Sequence, residues 1–186
     1  MSDFRQPRPG GGGRLDTMST SRTDIDTARA ARVHTVLDSP VGPLTLVAQD
    51  GALVGLYMGD ETHRSDLGEE DRTAFAEAER QLGEYFAGER TAFDLPLSLQ
   101  GTPFQKSVWK ELAAIPYGGT ATYGEIAERI GRAPSSARAV GSANGANPIS
   151  IVVPCHRVVG ADGSLTGYAW GTDRKRFLLD LEQSTQ

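Results

Sequence analysis

Two helix-start signatures fix the architecture of the second half of the chain. Thr102-Pro103-Phe104-Gln105 and Thr122-Tyr123-Gly124-Glu125 each set a threonine three places ahead of a glutamine or glutamate. In such a capping box the hydroxyl and the later side chain each satisfy a backbone group that the first helical turn leaves open. Pro103 suits the first helical position, where its missing N–H costs nothing. The first helix runs towards Ile115 and is stopped by Pro116 and Gly118-Gly119. The second runs to about Ile130. A turn at Gly131 to Pro134 then leads into a third helix over SSARAVGSANGAN. Helix, short turn, helix is the helix-turn-helix pattern.

The first half has another texture. Residues 34–58 read as three short strands, with a turn at Ser39 to Pro43 and a hairpin signal at Asp50-Gly51. Arg72 to Gly88 reads as an amphipathic helix, with Phe75, Leu82, Tyr85 and Phe86 near one face and Gly88 at its end. Residues 93–99 read as an edge strand or extended linker, because Pro96 cannot donate to a ladder. The expected organisation is a flexible tail over 1–31, an α/β domain over 32–100 and a second domain over 101–186. Gly10 to Gly13 marks the tail, and Met18 is a second candidate start. Near the C-terminus come a strand-like IVVP, a turn at Ala161-Asp162-Gly163, the loop GYAWG and a last helix capped by Thr172.

Composition removes several function classes. One cysteine excludes an internal disulfide, and three scattered histidines (His34, His63, His156) match no common zinc spacing. No metal and no cofactor are expected. No apolar run approaches the roughly 18 residues of a membrane span, and the N-terminus has no apolar core of the signal-peptide kind. A cytoplasmic, reducing setting is expected, where a thiol stays available. The net charge of −5 hides an asymmetry: residues 1–100 carry 10 basic against 17 acidic side chains, residues 101–186 carry 9 against 7. An anionic partner is expected to meet the second half.

The only cysteine, Cys155, lies in IVVPCHRVV with His156 and Arg157 directly after it. Free cysteine is usually a small buried hydrophobe, yet a buried strand does not ordinarily accept His and Arg in succession. A thiolate is the nucleophilic form, and histidine is the usual base that generates it. In an extended chain neighbouring side chains point to opposite faces. Direct contact between Cys155 and His156 therefore requires a sharp backbone turn, and a bridging water is the alternative. His156 then needs a carboxylate to fix its tautomer. Asp162, Asp173, Asp180 and Glu182 are candidates that spacing alone does not separate. Arg157 is expected in a salt bridge at a helix end.

Pro154-Cys155-His156-Arg157-Val158, preceded by Asn147-Pro148 and by Ala137-Arg138-Ala139-Val140-Gly141, resembles the O6-alkylguanine-DNA alkyltransferases, also called methylated-DNA–protein-cysteine methyltransferases. The likeness runs from about Thr102 to Glu182 and more weakly over 33–100. It implies an α/β (α+β) protein with a small ribonuclease H-like N-terminal domain. The C-terminal domain would be a helix-turn-helix, winged-helix-like unit carrying the reactive cysteine. It implies that Cys155 takes a methyl or other small alkyl group from O6 of guanine, and from O4 of thymine, in double-stranded DNA. His156 would act through water, with Glu182 as its orienting carboxylate and Asn147 bracing the turn. Tyr123 would press on the phosphate backbone and donate towards the purine. Arg138 would fill the stack left by the extruded nucleotide, and Tyr168 and the backbone N–H of Ala169 would border the pocket. The resemblance would place Ala137, Gly141 and Val158 on the same DNA and substrate surface. A monomer acting once is expected, since a thioether offers water no carbonyl to attack.

Physical reasoning supports that division of labour. An alkylated base must leave the stack to be attacked, and a planar guanidinium stacks well in the gap. Ala137, Gly141 and Gly145 recur every fourth residue as one smooth ridge, suited equally to close approach to a groove and to helix packing. The chain departs from some relatives at Ala169, which offers no side-chain hydroxyl, at Trp170, expected to narrow the pocket, and at Asn144, in place of an apolar wall. A lesion binder that does not react is disfavoured by the presence of Cys155. A cysteine hydrolase or redox enzyme is disfavoured by the Cys–His adjacency and the single thiol.

Overall fold

The computed structural model describes residues 31–165 and 167–184. The glycine run and Met18 lie outside the described residues. Three strands, β1 (Arg32–Leu37), β2 (Leu44–Gln49) and β3 (Ala52–Tyr57), form an antiparallel meander. Asp50 and Gly51 join β2 to β3 with φ of 54° and 74°, the left-handed pair that a tight two-residue hairpin requires. A two-residue strand, β4 (Glu69–Glu70), pairs parallel to β1 and completes the order β3-β2-β1-β4. Both its residues are exposed and acidic, so no hydrophobic alternation announces it.

The amphipathic segment starts later as an α-helix than its pattern suggests. Residues Arg72–Phe75 form a 3-10 turn capped by Asp71, whose carboxylate accepts from the Thr73 N–H, and α1 spans Ala76–Phe86. Phe75, Leu82 and Tyr85 are buried against the sheet. Residues 93–99 behave as an extended linker: one bridge holds Leu97 beside Leu53, with Leu53 N donating to Pro96 O at 2.8 Å.

Both capping boxes form. Thr102 N donates to Gln105 Oε1 at 2.9 Å and opens α2 (Pro103–Ala113). Thr122 N donates to Glu125 Oε2 at 2.6 Å and opens α3 (Tyr123–Arg129). A 3-10 turn at Pro134–Ser136 leads into α4 (Ala137–Gly145), and the chain closes with α5 (Thr172–Ser184). Trp109 locks α2 to α4 by donating from Nε1 to Ala143 O at 2.8 Å. One apolar core runs through both halves, from Leu46 and Leu56 to Val108, Ile126 and Val140.

IVVP is not a strand. Its β-branched residues fill the core, but the backbone turns on itself. Ile151 adopts φ 69°, a left-handed conformation unusual for a β-branched side chain and costing about 1–3 kcal/mol. Cys155–Arg157 then form a 3-10 turn before β6 (Val158–Val159), which pairs parallel with β5 (Ala121–Thr122). The turn is held from the N-terminal layer: Leu56 N donates to Pro148 O at 2.8 Å, and Ser150 N to Leu56 O at 3.0 Å.

Gly101 sits where the two halves meet, and a methyl group there would lie 2.5 Å from the Trp109 ring. Gly101→Ala is expected to lower unfolding stability by about 1–3 kcal/mol through overpacking. Urea titration measures it, and an unchanged midpoint would show that Trp109 is free to yield.

Candidate active site

Cys155 opens the 3-10 turn and is 3% exposed, with its thiol free of any disulfide. Asn147 ties the approach together. Its Nδ2 donates to Val153 O at 2.7 Å and its Oδ1 accepts from Ile149 N at 3.1 Å. Asn144 Nδ2 reaches Cys155 O at 3.4 Å, while the Asn144 Oδ1 is buried with no partner among the described residues. Burial pushes the thiol above its ordinary range, and hydrogen bonding with Asn147, Tyr168 and Ser150 offsets this only in part. The resting sulfur is therefore a protonated thiol, and a base must remove its proton before it can attack.

The 3-10 turn resolves the difficulty of two adjacent functional side chains, since successive residues no longer alternate across a sheet. Of the four candidate carboxylates, the fold brings Glu182 to His156. The distance from Nε2 to Oε1 is 2.7 Å, and both side chains are fully buried. Asp162 instead accepts from Ser164 N in a surface turn, and Asp173 and Asp180 face outward. Lys175, Leu178, Leu179 and Glu182 form the inward stripe of α5, at the spacing one helical face requires.

Glu182 accepts five hydrogen bonds. Oε1 takes His156 Nε2, Tyr85 Oη at 2.7 Å and Arg157 Nη2 at 3.0 Å. Oε2 takes Arg157 Nε at 2.8 Å and Gly118 N at 3.1 Å. Burial alone would raise this carboxyl, but the bonds from His156 and Arg157 hold it down at about 2. It is an anion at neutral pH, so His156 Nε2 must carry the hydrogen it shares. Burial pushes His156 below its ordinary value, and Glu182 opposes this without prevailing. The imidazole is thus neutral, and Nδ1 bears the lone pair. Nδ1 is buried and has no hydrogen-bond partner among the described residues. Arg157 also donates from Nη1 to Ile115 O at 2.6 Å, just beyond α2; the salt bridge expected of it is the one to Glu182, near the end of α5.

Beside this buried relay lies an open cleft of about 620 Å³, lined by Tyr123, Ala137, Arg138, Gly141, Ser142 and Gly167. Tyr123 rests on Gly141, where a methyl group would sit 3.7 Å from the ring. Burial raises the Tyr123 phenol, and proximity to Cys155 raises it further. The same side chain lines the cleft. Arg138 is exposed on the first turn of α4. Gly145 continues the ridge into open space. Tyr168 is half-buried, its hydroxyl 3.5 Å from Met58 Sδ, and Ala169 is exposed. Trp170 does not line the cleft; its Nε1 donates to Ser150 Oγ at 3.0 Å and its ring lies 6.3 Å from that of Tyr57. Val158 is fully buried, and its carbonyl accepts from Lys175 Nζ.

Sequence reasoning missed Lys175 and Tyr85. Lys175 is fully buried, 5.7 Å over the Tyr168 ring. The α5 stripe could have flagged it, since a lysine on the inward face is unusual. Tyr85 read simply as core, and nothing in the sequence marks its hydroxyl.

The two buried titrating groups give a signed pH dependence. Glu182, held below its ordinary value of 4.5, contributes stability that is lost as pH falls from that value towards about 2. His156, held below 6.5, resists protonation in the folded state, so acid below 6.5 favours the unfolded chain. Both act in one direction. Urea midpoints are expected to fall steadily from pH 7 to pH 4, and a level midpoint would contradict a buried neutral imidazole.

Known proteins share this arrangement of elements. The family model described as 6-O-methylguanine DNA methyltransferase, DNA binding domain, matches residues 103–184. The corresponding ribonuclease-like domain matches residues 33–99. A methylated-DNA–protein-cysteine methyltransferase of Mycolicibacterium paratuberculosis is 58% identical, covering 81% of this chain and 92% of its own length. One of Methanosarcina acetivorans is 52% identical, covering 81% and 98%. The crystal structure of Mycobacterium tuberculosis OGT in complex with DNA superposes with a TM-score of 0.78 at 56% identity, covering 82% of this chain and 94% of that one. The chain belongs to the 6-O-methylguanine DNA methyltransferase family.

Proposed function

We propose that the protein repairs alkylated DNA by moving a methyl or other small alkyl group from O6 of guanine, and from O4 of thymine, onto Cys155. The observation that carries this reading is a single buried thiol served by a neutral imidazole whose Nδ1 lone pair is uncommitted, beside a cleft bordered by Tyr123 and Arg138. The thiol proton passes through a water to His156 Nδ1. The sulfur attacks the alkyl carbon, an S–C bond forms and the O6–C bond breaks. Guanine departs carrying the bonding electrons, and hydrogen bonding from Tyr123 stabilises the charge that develops on it. Glu182 and Arg157 hold the imidazole in place throughout.

The cleft suits double-stranded DNA entered by α4. The damaged nucleotide must be extruded to reach a sulfur this deep, and Arg138, exposed at the start of α4, is placed to fill the gap it leaves. The product is a thioether, and the chain has no second cysteine to accept the group. Each molecule therefore acts once. A reducing compartment such as the cytoplasm keeps the thiol competent. No helix among the described residues is long and apolar enough to cross a membrane. The Mycobacterium tuberculosis relative crystallised with DNA supports the same class of partner.

Incubation with a duplex carrying O6-methylguanine, followed by digestion and mass spectrometry, should show one added methyl on the Cys155 peptide and no turnover beyond one per protein. Cys155→Ala should bind the duplex and transfer nothing. Methyl transfer by that variant would refute the assignment. Arg138→Ala should slow repair of duplex DNA by roughly tenfold or more, reflecting the lost compensation for unstacking, while reaction with free O6-methylguanine changes little. Equal losses on both substrates would remove the stacking role.

A further inference from the structure

Glu182 is gripped by a residue from the other half of the protein. Tyr85, on α1, donates its hydroxyl to Glu182 Oε1 at 2.7 Å, on the same oxygen that His156 Nε2 engages at 2.7 Å. The hydroxyl is fully buried, and the ring is fixed by Phe86 and Phe93, each 5.4 Å away, and by Tyr117 at 6.1 Å. Helix α1 therefore reaches across the domain boundary to the proton relay. Apolar packing alone would be served by phenylalanine, as it is at positions 86 and 93.

We propose that Tyr85 is a positioning residue of the relay, contributed by the N-terminal domain, which pins Glu182 Oε1 in line with His156 and limits the pull of that carboxylate on the imidazole. The inference rests on the alkyl-transfer reading, in which His156 must be neutral to receive the thiol proton. An oxygen shared among Tyr85, His156 and Arg157 has its charge spread over three donors. Removing the phenol concentrates that charge on the bond to His156 and favours the imidazolium. Glu182 responds in the matching sense, since the Tyr85 hydroxyl is among the groups that hold it low.

Other charged and titratable groups face this pair. Arg157 and Lys175 both disfavour a protonated His156, and Cys155 precedes it in the same turn. Tyr117 and Tyr168 act on Tyr85 or are acted on by it. All of them remain when the Tyr85 hydroxyl alone is changed, so the effect of that oxygen is separable.

The test is the titration of the His156 ring followed by NMR on the full chain, beside the pH–rate profile of methyl transfer. In Tyr85→Phe the midpoint of the ring and the acidic limb of the profile should both rise, by roughly half a unit to one unit. With 3,5-difluorotyrosine placed at position 85, a stronger donor, both should fall. A packing role moves neither in opposite senses, and Phe93→Leu should lower thermal stability without shifting the midpoint. If Tyr85→Phe does not fold, the fluorinated protein decides alone: a lowered midpoint supports the proposal and an unchanged one overturns it. Methyl transfer by the unmodified protein, scored in the same samples, reports separately on the alkyl-transfer reading.

Discussion

The buried carboxylate of Glu182 is the constraint on which the rest depends. It receives donors from α1, from the loop after α2 and from both His156 and Arg157 of the cysteine turn. A charge buried this deeply is tolerable only when every lone pair is engaged. Removing one charged partner of such a cluster typically costs about 3–5 kcal/mol, because it strands the other. The same bonds that make the anion stable also define the imidazole: they fix which nitrogen holds the hydrogen and which holds the lone pair. Structure and chemistry are thus set by one group.

That arrangement explains why so buried a thiol can be useful. Burial makes Cys155 a poorer acid, which would be self-defeating for a free nucleophile. It also keeps bulk solvent from the sulfur and strengthens electrostatic interactions there. A neutral base of fixed orientation reconciles the two, since the proton is removed only when the sulfur is to react. The strained turn at Ile151 serves the same end. It reverses the chain so that Cys155 and His156 occupy successive positions of a 3-10 turn, and Asn147 holds that reversal by bonding on both sides of it.

Much of this was legible in the sequence, and for identifiable reasons. The capping boxes at Thr102 and Thr122 are local chemistry, so they formed as written. Asp50-Gly51 is equally local. Of the site, Cys155 and His156 stood out because His156 and Arg157 in succession conflict with a buried strand. What failed was reading the β-branched run at 151–153 as extended. Those side chains are apolar because the core surrounds them, and the backbone there answers to Asn147 and to the edge of β3. Spacing left four carboxylates open and the family resemblance alone pointed to Glu182; the inward stripe of α5 and its packing supply the physical reason. Tyr85 was out of reach altogether: its partner is 97 residues away in sequence, and a tyrosine on a core-facing helix looks the same whether or not its hydroxyl is used.

Before reaction the protons rest on the Cys155 thiol, on His156 Nε2 and on the Tyr85 hydroxyl. Neutron diffraction from crystals exchanged into heavy water at neutral pD would locate them directly. The account predicts a deuteron on His156 Nε2 pointing to Glu182 and one on the Tyr85 hydroxyl, with a bare Nδ1 and an ionised carboxylate. A deuteron on Nδ1, in either a neutral or a doubly protonated ring, would contradict it, because the imidazole would then have no lone pair to offer the thiol.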